Sequence, residues 1–83
     1  MVVSVEYDDE FKKMLSKIKD SALKERIVKL IEKIAESPDI GKPMRYGRKG
    51  TREVYVAPFR ISYSYLADIN TVHFLDLYHK DEQ

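Results

Sequence analysis

The chain has 83 residues, a formal net charge of +1 and no cysteine. This length predicts a single domain over residues 1–83, and the lack of cysteine excludes a disulfide framework, a thiolate nucleophile and a cysteine-based zinc site. Small secreted domains usually carry disulfides, no apolar run is long enough to span a bilayer, and the N-terminus does not resemble a signal peptide, so we expect a cytoplasmic protein without a membrane segment.

Two further features of the composition carry information. Residues 1–39 carry 8 Lys/Arg and 9 Asp/Glu, whereas residues 40–83 carry 7 and 5, so the positive excess lies in the second half. Asn70 and Gln83 are the only side-chain amides, while Lys and Glu are plentiful. Depletion of thermolabile residues together with Lys/Glu enrichment is typical of proteins from thermophiles.

The N-terminal half is predicted to form one strand and two helices. Residues 2–7 (VVSVEY) are short, β-branched and partly alternating, which predicts a strand. A helix over 11–20 has Phe11, Met14, Leu15 and Ile18 on one face, and Asp8 or Asp9 can cap its N-terminus. A second helix begins at Asp20 or Ser21 and ends before Pro38, with an apolar stripe formed by Leu23, Ile27, Leu30, Ile31 and Ile34.

The C-terminal half is predicted to be a loop followed by three strands. Residues 39–51 contain all three glycines, which excludes a regular element across this segment. Its basic tip, GRKG, lacks the spacing of a phosphate-binding P-loop. Strands follow at 52–56, 60–66 and 71–78, separated by short turns, so they are antiparallel neighbours.

These elements predict an α+β domain of order β-α-α-β-β-β. An αα-hairpin packs on one face of a mostly antiparallel four-stranded sheet, because two helices cannot bury their own apolar faces. In the strand over 60–66, Ile61, Tyr63 and Tyr65 share one face. Arg60, Ser62 and Ser64 share the other, and one face of the sheet stays open.

The segment 42–65 is the best candidate for function. It carries six Lys/Arg against one acid, interleaved with aromatic residues. Positive charge with aromatic faces suits an RNA backbone with unstacked bases, although a basic run is more often a solvated face. No residue pattern predicts a metal site or a serine nucleophile, and no cofactor is expected.

Chemistry based on positive charge remains open, because RNA supplies its own nucleophile, the 2′-hydroxyl. Arginine suits the phosphate, and His or Lys can move protons near neutral pH. Arg60, His79 and Lys80 have these side chains. The alternatives are that Arg60 pairs with Glu53 across the hairpin and that His79 and Lys80 belong to a polar tail.

Four sequence pieces together resemble the RelE toxins of the RelE/ParE superfamily: ESPDI, the basic segment, FRISYSY and HFLDLYHKD. The resemblance covers nearly the whole chain and implies the same β-α-α-β-β-β order. It implies a ribosome-dependent endoribonuclease that cuts messenger RNA without a metal, with no small-molecule cofactor, and that is held inactive by a RelB-like antitoxin. Ribosome, messenger RNA and antitoxin are therefore the expected partners.

The resemblance also assigns residues. Arg60 matches the family arginine that meets the scissile phosphate, and Lys80 matches a basic residue near the leaving oxygen. His79 is a further candidate for proton transfer because of its imidazole. Contacts to RNA are expected from Arg45, Arg48, Lys49, Arg52 and Tyr55. Arg52, Glu53 and Tyr55 fall where RelE has lysines, and the family's C-terminal tyrosine has no counterpart.

Two alternatives remain open. The ParE branch of the same fold poisons DNA gyrase and cuts no RNA. A catalytically degenerate homologue would only bind its antitoxin. In each case two amphipathic helices and a sheet in so short a chain are expected to leave apolar surface for an antitoxin to cover.

Overall fold

The computed structural model describes residues 3–43 and 50–82. Within these ranges two helices pack on one mixed β-sheet. The elements are β1 (Ser4–Tyr7), α1 (Asp9–Lys17), α2 (Ser21–Glu36), β2 (Lys42–Pro43), β3 (Thr51–Val56), β4 (Phe59–Leu66) and β5 (Thr71–His79). The strand order is β1-β5-β4-β3-β2; β1 is parallel to β5, and the other neighbours are antiparallel.

The α+β class and the helical hairpin are as predicted, but the sheet has one strand more than the four expected. The additional strand, β2, consists of Lys42 and Pro43, which pair with Glu53 and Arg52 of β3. The glycines of residues 39–51 predict no regular element across this segment, and β2 shows that this prediction is wrong at Lys42–Pro43. Two residues carry no periodicity of their own, and only the neighbouring strand makes them a strand.

The boundary between the helices is set by a cap. The side chain of Asp20 accepts hydrogen bonds from the N–H groups of Ala22 (3.0 Å) and Leu23 (3.1 Å), which otherwise lack partners in the first turn of α2. The chain is already extended at Ile18, so α1 ends at Lys17, three residues before the predicted end at 20. No helix in the described ranges is long and apolar enough to cross a bilayer.

The core lies between the helices and one face of the sheet. Phe11 of α1 and Ile27 and Ile34 of α2 have no exposed surface. The strands contribute equally buried side chains from β4 and β5, namely Ile61, Tyr63, Val72, Phe74 and Leu77. Ile61 and Tyr63 share one face of β4, as predicted, and the structure shows that this is the core face. Arg60 lies on the other face.

Tyr63 fixes the loop after α2 to the centre of the sheet. Its hydroxyl donates to the carbonyl of Pro38 (2.8 Å) and accepts from the N–H of Gly41 (2.9 Å). Burial raises the pKa of Tyr63 above its ordinary value, so the neutral, donating form is maintained. A Cβ at Gly41 would lie 2.6 Å from the Tyr63 hydroxyl oxygen, so this close approach requires glycine.

Replacing Tyr63 with phenylalanine is expected to destabilise the protein by about 1–3 kcal/mol, because it leaves the Gly41 N–H and the Pro38 carbonyl without this partner. The matched control is Tyr65→Phe, which removes a hydroxyl that donates to the Asn70 side chain at 2.9 Å in a partly buried setting. We expect the control to lose about 1 kcal/mol or less in urea unfolding. An equal or larger loss in the control would contradict this role for Tyr63.

Candidate functional site

The candidate site lies on the sheet face opposite the helices. Direct partners in neighbouring strands share a face, so Tyr55, Arg60 and Tyr78 form one row across β3, β4 and β5. The adjacent row contains Glu53, Ser62 and Asp76. We call the five long polar side chains of these two rows, together with Ser62, the open-face cluster.

Glu53 holds this cluster together. One of its carboxylate oxygens lies 3.1 Å from Nη1 of Arg60, and the other accepts a hydrogen bond from the hydroxyl of Tyr78. The Glu53 side chain is 15% exposed and that of Arg60 is 35% exposed. The arginine is therefore fixed on one side and remains accessible to a ligand on the other.

The described part of the open face has mixed charge. Lys42 is the register partner of Glu53, while Asp76 adds a second acid two strands away. Ser62, between the two acids, is only 5% exposed, so longer neighbouring side chains close over it. The ion pair between Arg60 and Glu53 was one of the alternatives for Arg60, and it is present. An anion that binds here must compete with Glu53.

A β-bulge in β5 determines which C-terminal residues reach this face. Ser62 pairs with Asp76 and Tyr63 pairs with Phe74, so Leu75 has no partner in the β4–β5 register. This extra residue reverses the alternation. Tyr78 therefore shares the face of Arg60, whereas strict alternation from the buried Phe74 would place Tyr78 on the core face. Sequence analysis missed Tyr78 for this reason.

The same bulge separates His79 from Arg60. His79 pairs with Phe59 and alternates with Tyr78, so it lies on the helix side of β5. Its ring meets the Phe59 ring edge-on at 5.6 Å, and its Nδ1 accepts the N–H of Asp81 (3.3 Å). The Asp81 carboxylate lies 3.7 Å from the same nitrogen.

Lys80 follows the last residue of β5. Its backbone N–H donates to the carbonyl of Pro58 (3.0 Å), which anchors the end of β5 to the β3–β4 turn. The residue itself is exposed and begins a short 3₁₀ turn over Lys80–Glu82. Lys80 therefore adds a solvent-accessible positive charge one residue beyond the pair formed by Phe59 and His79.

The expected RNA-contacting residues are divided between two faces. Tyr55 is 53% exposed and sits beside Arg60 in the open-face cluster. Arg52 lies on the core side, opposite Tyr63, and its guanidinium donates to the carbonyls of Asp39 (3.2 Å) and Gly41 (2.7 Å). Arg45, Arg48 and Lys49 lie outside the residues that the structure describes.

The open-face cluster can bind an anion and accept a proton. Arg60 offers the anion-binding group, Glu53 offers a carboxylate, and Tyr55 and Tyr78 offer ring faces and hydroxyls. Residues 3–43 and 50–82 contain no group of three or more His, Asp or Glu side chains placed to hold a metal ion.

The comparison with protein families identifies the class of protein. The model of the ParE toxin of type II toxin–antitoxin systems matches residues 5–83. Because the match spans nearly the whole chain, the chain belongs to this family, within the RelE/ParE superfamily. It is thus a toxin of the type II class by family. No curated protein matches the sequence significantly.

Solved structures with the same fold include RelE toxins from several organisms. In the RelBE2 toxin–antitoxin complex from Mycobacterium tuberculosis, the matching chain has a TM-score of 0.82 and 21% identity, with 96% of this chain and 100% of that chain covered. The matching chain of the E. coli RelBE complex has a TM-score of 0.81 and 19% identity, with 98% of this chain and 99% of that chain covered. The matching chain of the archaeal RelE–RelB complex from Pyrococcus horikoshii has a TM-score of 0.77 and 15% identity, and both chains are covered completely. The resemblance to RelE is confirmed at the level of the fold.

Proposed function

We propose that this toxin is a ribosome-dependent, metal-independent endoribonuclease that cuts messenger RNA and thereby inhibits translation. The observation that carries the proposal is the position of Arg60. Its guanidinium lies on the open sheet face, partly exposed, beside Tyr55 and Tyr78 and within 3.1 Å of a carboxylate. Cleavage by the RNA 2′-hydroxyl requires a group that binds the phosphate, a proton acceptor and surfaces on which bases can stack.

In the proposed reaction, the Glu53 carboxylate takes the proton of the 2′-hydroxyl. The 2′-oxygen attacks phosphorus, and the bond from phosphorus to the 5′-oxygen of the next nucleotide breaks. Arg60 stabilises the added negative charge on the phosphate oxygens. The products are a 2′,3′-cyclic phosphate and a 5′-hydroxyl, and we assign the proton of that hydroxyl to Lys80, since His79 lies on the helix side of β5.

Substrate binding is coupled to activation in this scheme. In the free protein, Arg60 and Tyr78 hold both oxygens of Glu53. When a phosphate binds the Arg60 guanidinium, the oxygen of Glu53 that faced Arg60 loses its charged partner. That oxygen then accepts a proton more readily than in the free protein. Tyr78 keeps the carboxylate oriented through the exchange, which makes it a positioning residue.

We further propose a RelB-like antitoxin as the physiological partner, by analogy with the RelB-containing complexes of the structural relatives. The surface that it targets would include Arg60. Messenger RNA and the ribosome are the other partners in this proposal, and the protein acts in the cytoplasm.

A second candidate function is gyrase poisoning, which the matching family model favours through its name. The ion pair between Arg60 and Glu53 also fits a toxin that does not use Arg60 for catalysis, and a degenerate toxin that only binds its antitoxin.

Pulse labelling after induction separates these functions. Our proposal predicts that incorporation of labelled methionine stops before that of thymidine, whereas the reverse order would favour gyrase, and no arrest would favour the degenerate toxin.

A further inference from the structure

We propose that Asp76 determines base specificity in the proposed reaction, and that it favours guanine in the nucleotide on the 5′ side of the cut. The inference rests on the proposed function, because it places the scissile phosphate at Arg60 and the attacking 2′-hydroxyl at Glu53. Asp76 is the second acid of the open-face cluster, and the reaction scheme gives it no role. It is exposed, and its carboxylate forms no hydrogen bond or ion pair within residues 3–43 and 50–82.

Asp76 lies across the open face from Glu53. Glu53 pairs with Ser62, and Ser62 pairs with Asp76, so the three residues form one row across β3, β4 and β5. Neighbouring strands lie about 4.8 Å apart, which puts the backbones of Glu53 and Asp76 about 10 Å from each other. This separation accommodates one nucleotide that lies across the strands. With its ribose at Glu53, the base lies above Ser62 and its far edge meets Asp76.

The charges along this row set the direction in which the nucleotide lies. Lys42 is the register partner of Glu53 on β2, and the Arg60 guanidinium also reaches Glu53, at 3.1 Å. Both cations attract phosphate, whereas the free carboxylate of Asp76 repels it. The phosphodiester backbone therefore lies on the β3 side of the row, and the base points towards β5. Asp76 meets the part of the nucleotide that carries sequence information.

A carboxylate distinguishes the four bases because it only accepts hydrogen bonds. On the Watson–Crick edge, guanine presents two adjacent donors, N1–H and the 2-amino group, to the two oxygens of Asp76. Cytosine and adenine present one amino group beside a ring nitrogen that is an acceptor, and uracil presents one N–H between two carbonyl oxygens. Guanine is thus the base that satisfies both oxygens, and the charge of the carboxylate strengthens both hydrogen bonds.

The test compares cleavage of messenger RNAs that differ only in the nucleotide on the 5′ side of the cut, in programmed ribosomes. This nucleotide is G, A, C, U or inosine, which lacks the 2-amino group and so removes one of the two donors. The variant is Asp76→Asn. The matched control is Asp68→Asn, which makes the same change at an exposed carboxylate in the turn Ala67–Ile69. Circular dichroism melting confirms that both variants are folded.

We expect the wild type and Asp68→Asn to cleave the guanine messenger at least about fivefold faster than each of the others, inosine included. Asp76→Asn should lose this preference and treat guanine and inosine alike, because its amide oxygen replaces only one of the two acceptors. Equal rates for all bases in the wild type, or a guanine preference that persists in Asp76→Asn, would overturn the proposal.

A binding measurement separates this inference from the proposed function. Short RNA oligonucleotides with a single 2′-deoxyguanosine or 2′-deoxyinosine lack the nucleophile at that position, so their affinity is measured without cleavage there. The wild type should bind the guanine oligonucleotide at least about fivefold more tightly, and Asp76→Asn should bind both equally. Guanine preference in binding without any messenger cleavage would refute the nuclease and leave the base subsite standing. Equal affinity of the wild type for both oligonucleotides, or no binding, would overturn the subsite even if the messenger is cut.

Discussion

Replacing Arg60 with alanine is expected to lower the rate of RNA cleavage by about a hundredfold to a thousandfold, the loss typical of removing one group that stabilises transition-state charge. The physical reason is that Arg60 supplies the positive charge of the open-face cluster, where a phosphate can reach it. The change removes the partner of one Glu53 oxygen, but Tyr78 still donates to the other. The measurement is single-turnover cleavage of messenger RNA bound to programmed ribosomes.

The matched control for this variant is Arg26→Ala. Arg26 is an exposed arginine of α2 that is not part of the open-face cluster, and its guanidinium donates to the carbonyl of Ala57 at 3.1 Å. The Arg26→Ala variant should cleave at the wild-type rate. Arg60 would have no part in the mechanism if folded Arg60→Ala protein still cleaved at the wild-type rate. The same would follow if the two variants lost equal activity.

The second large effect is expected for Glu53→Gln. The amide keeps the size of the side chain and an oxygen for Arg60 or Tyr78, but it cannot take a proton from the 2′-hydroxyl. Cleavage should fall by about a hundredfold to ten-thousandfold, the range for loss of a general base. Binding of a short RNA should stay equal or become tighter, because Arg60 no longer faces a full negative charge.

Glu25→Gln serves as the control, since Glu25 is exposed and pairs with Lys29 on the surface of α2. Filter binding and single-turnover cleavage on both variants separate affinity from chemistry. If Glu53→Gln cleaved as fast as the wild type or faster, Glu53 would be an inhibitory partner of Arg60 and another group would be the base.

The sequence was sufficient to predict the parts of the fold that depend on local periodicity. Helical spacing places Phe11, Ile27 and Ile34 in the core, and alternation in β4 separates Ile61 and Tyr63 from Arg60. The second helix was predicted to begin at Asp20 or Ser21. It begins at Ser21, and the hydrogen bonds of Asp20 identify Asp20 as its cap. Each of these features is set by residues within a few positions of one another.

The features that sequence reasoning missed depend on distant residues. β2 exists only because β3 pairs with it. The bulge at Leu75 transfers Tyr78 to the face of Arg60 and His79 to the helix side, and an apolar residue within an apolar strand gives no warning of it. The hydrogen bonds from Arg52 to the carbonyls of Asp39 and Gly41 join distant parts of the sequence, so the sequence did not indicate them. The contact of Arg52 with RNA stays a prediction.

The measurement that tests the central claim most directly is primer extension on a defined messenger RNA, with and without programmed ribosomes, after addition of the purified protein. We expect cuts that appear only with ribosomes, fall at the decoding site and disappear in Arg60→Ala. An intact messenger RNA in the presence of ribosomes and active wild-type protein would contradict the endoribonuclease, and purified gyrase would then be the target to test.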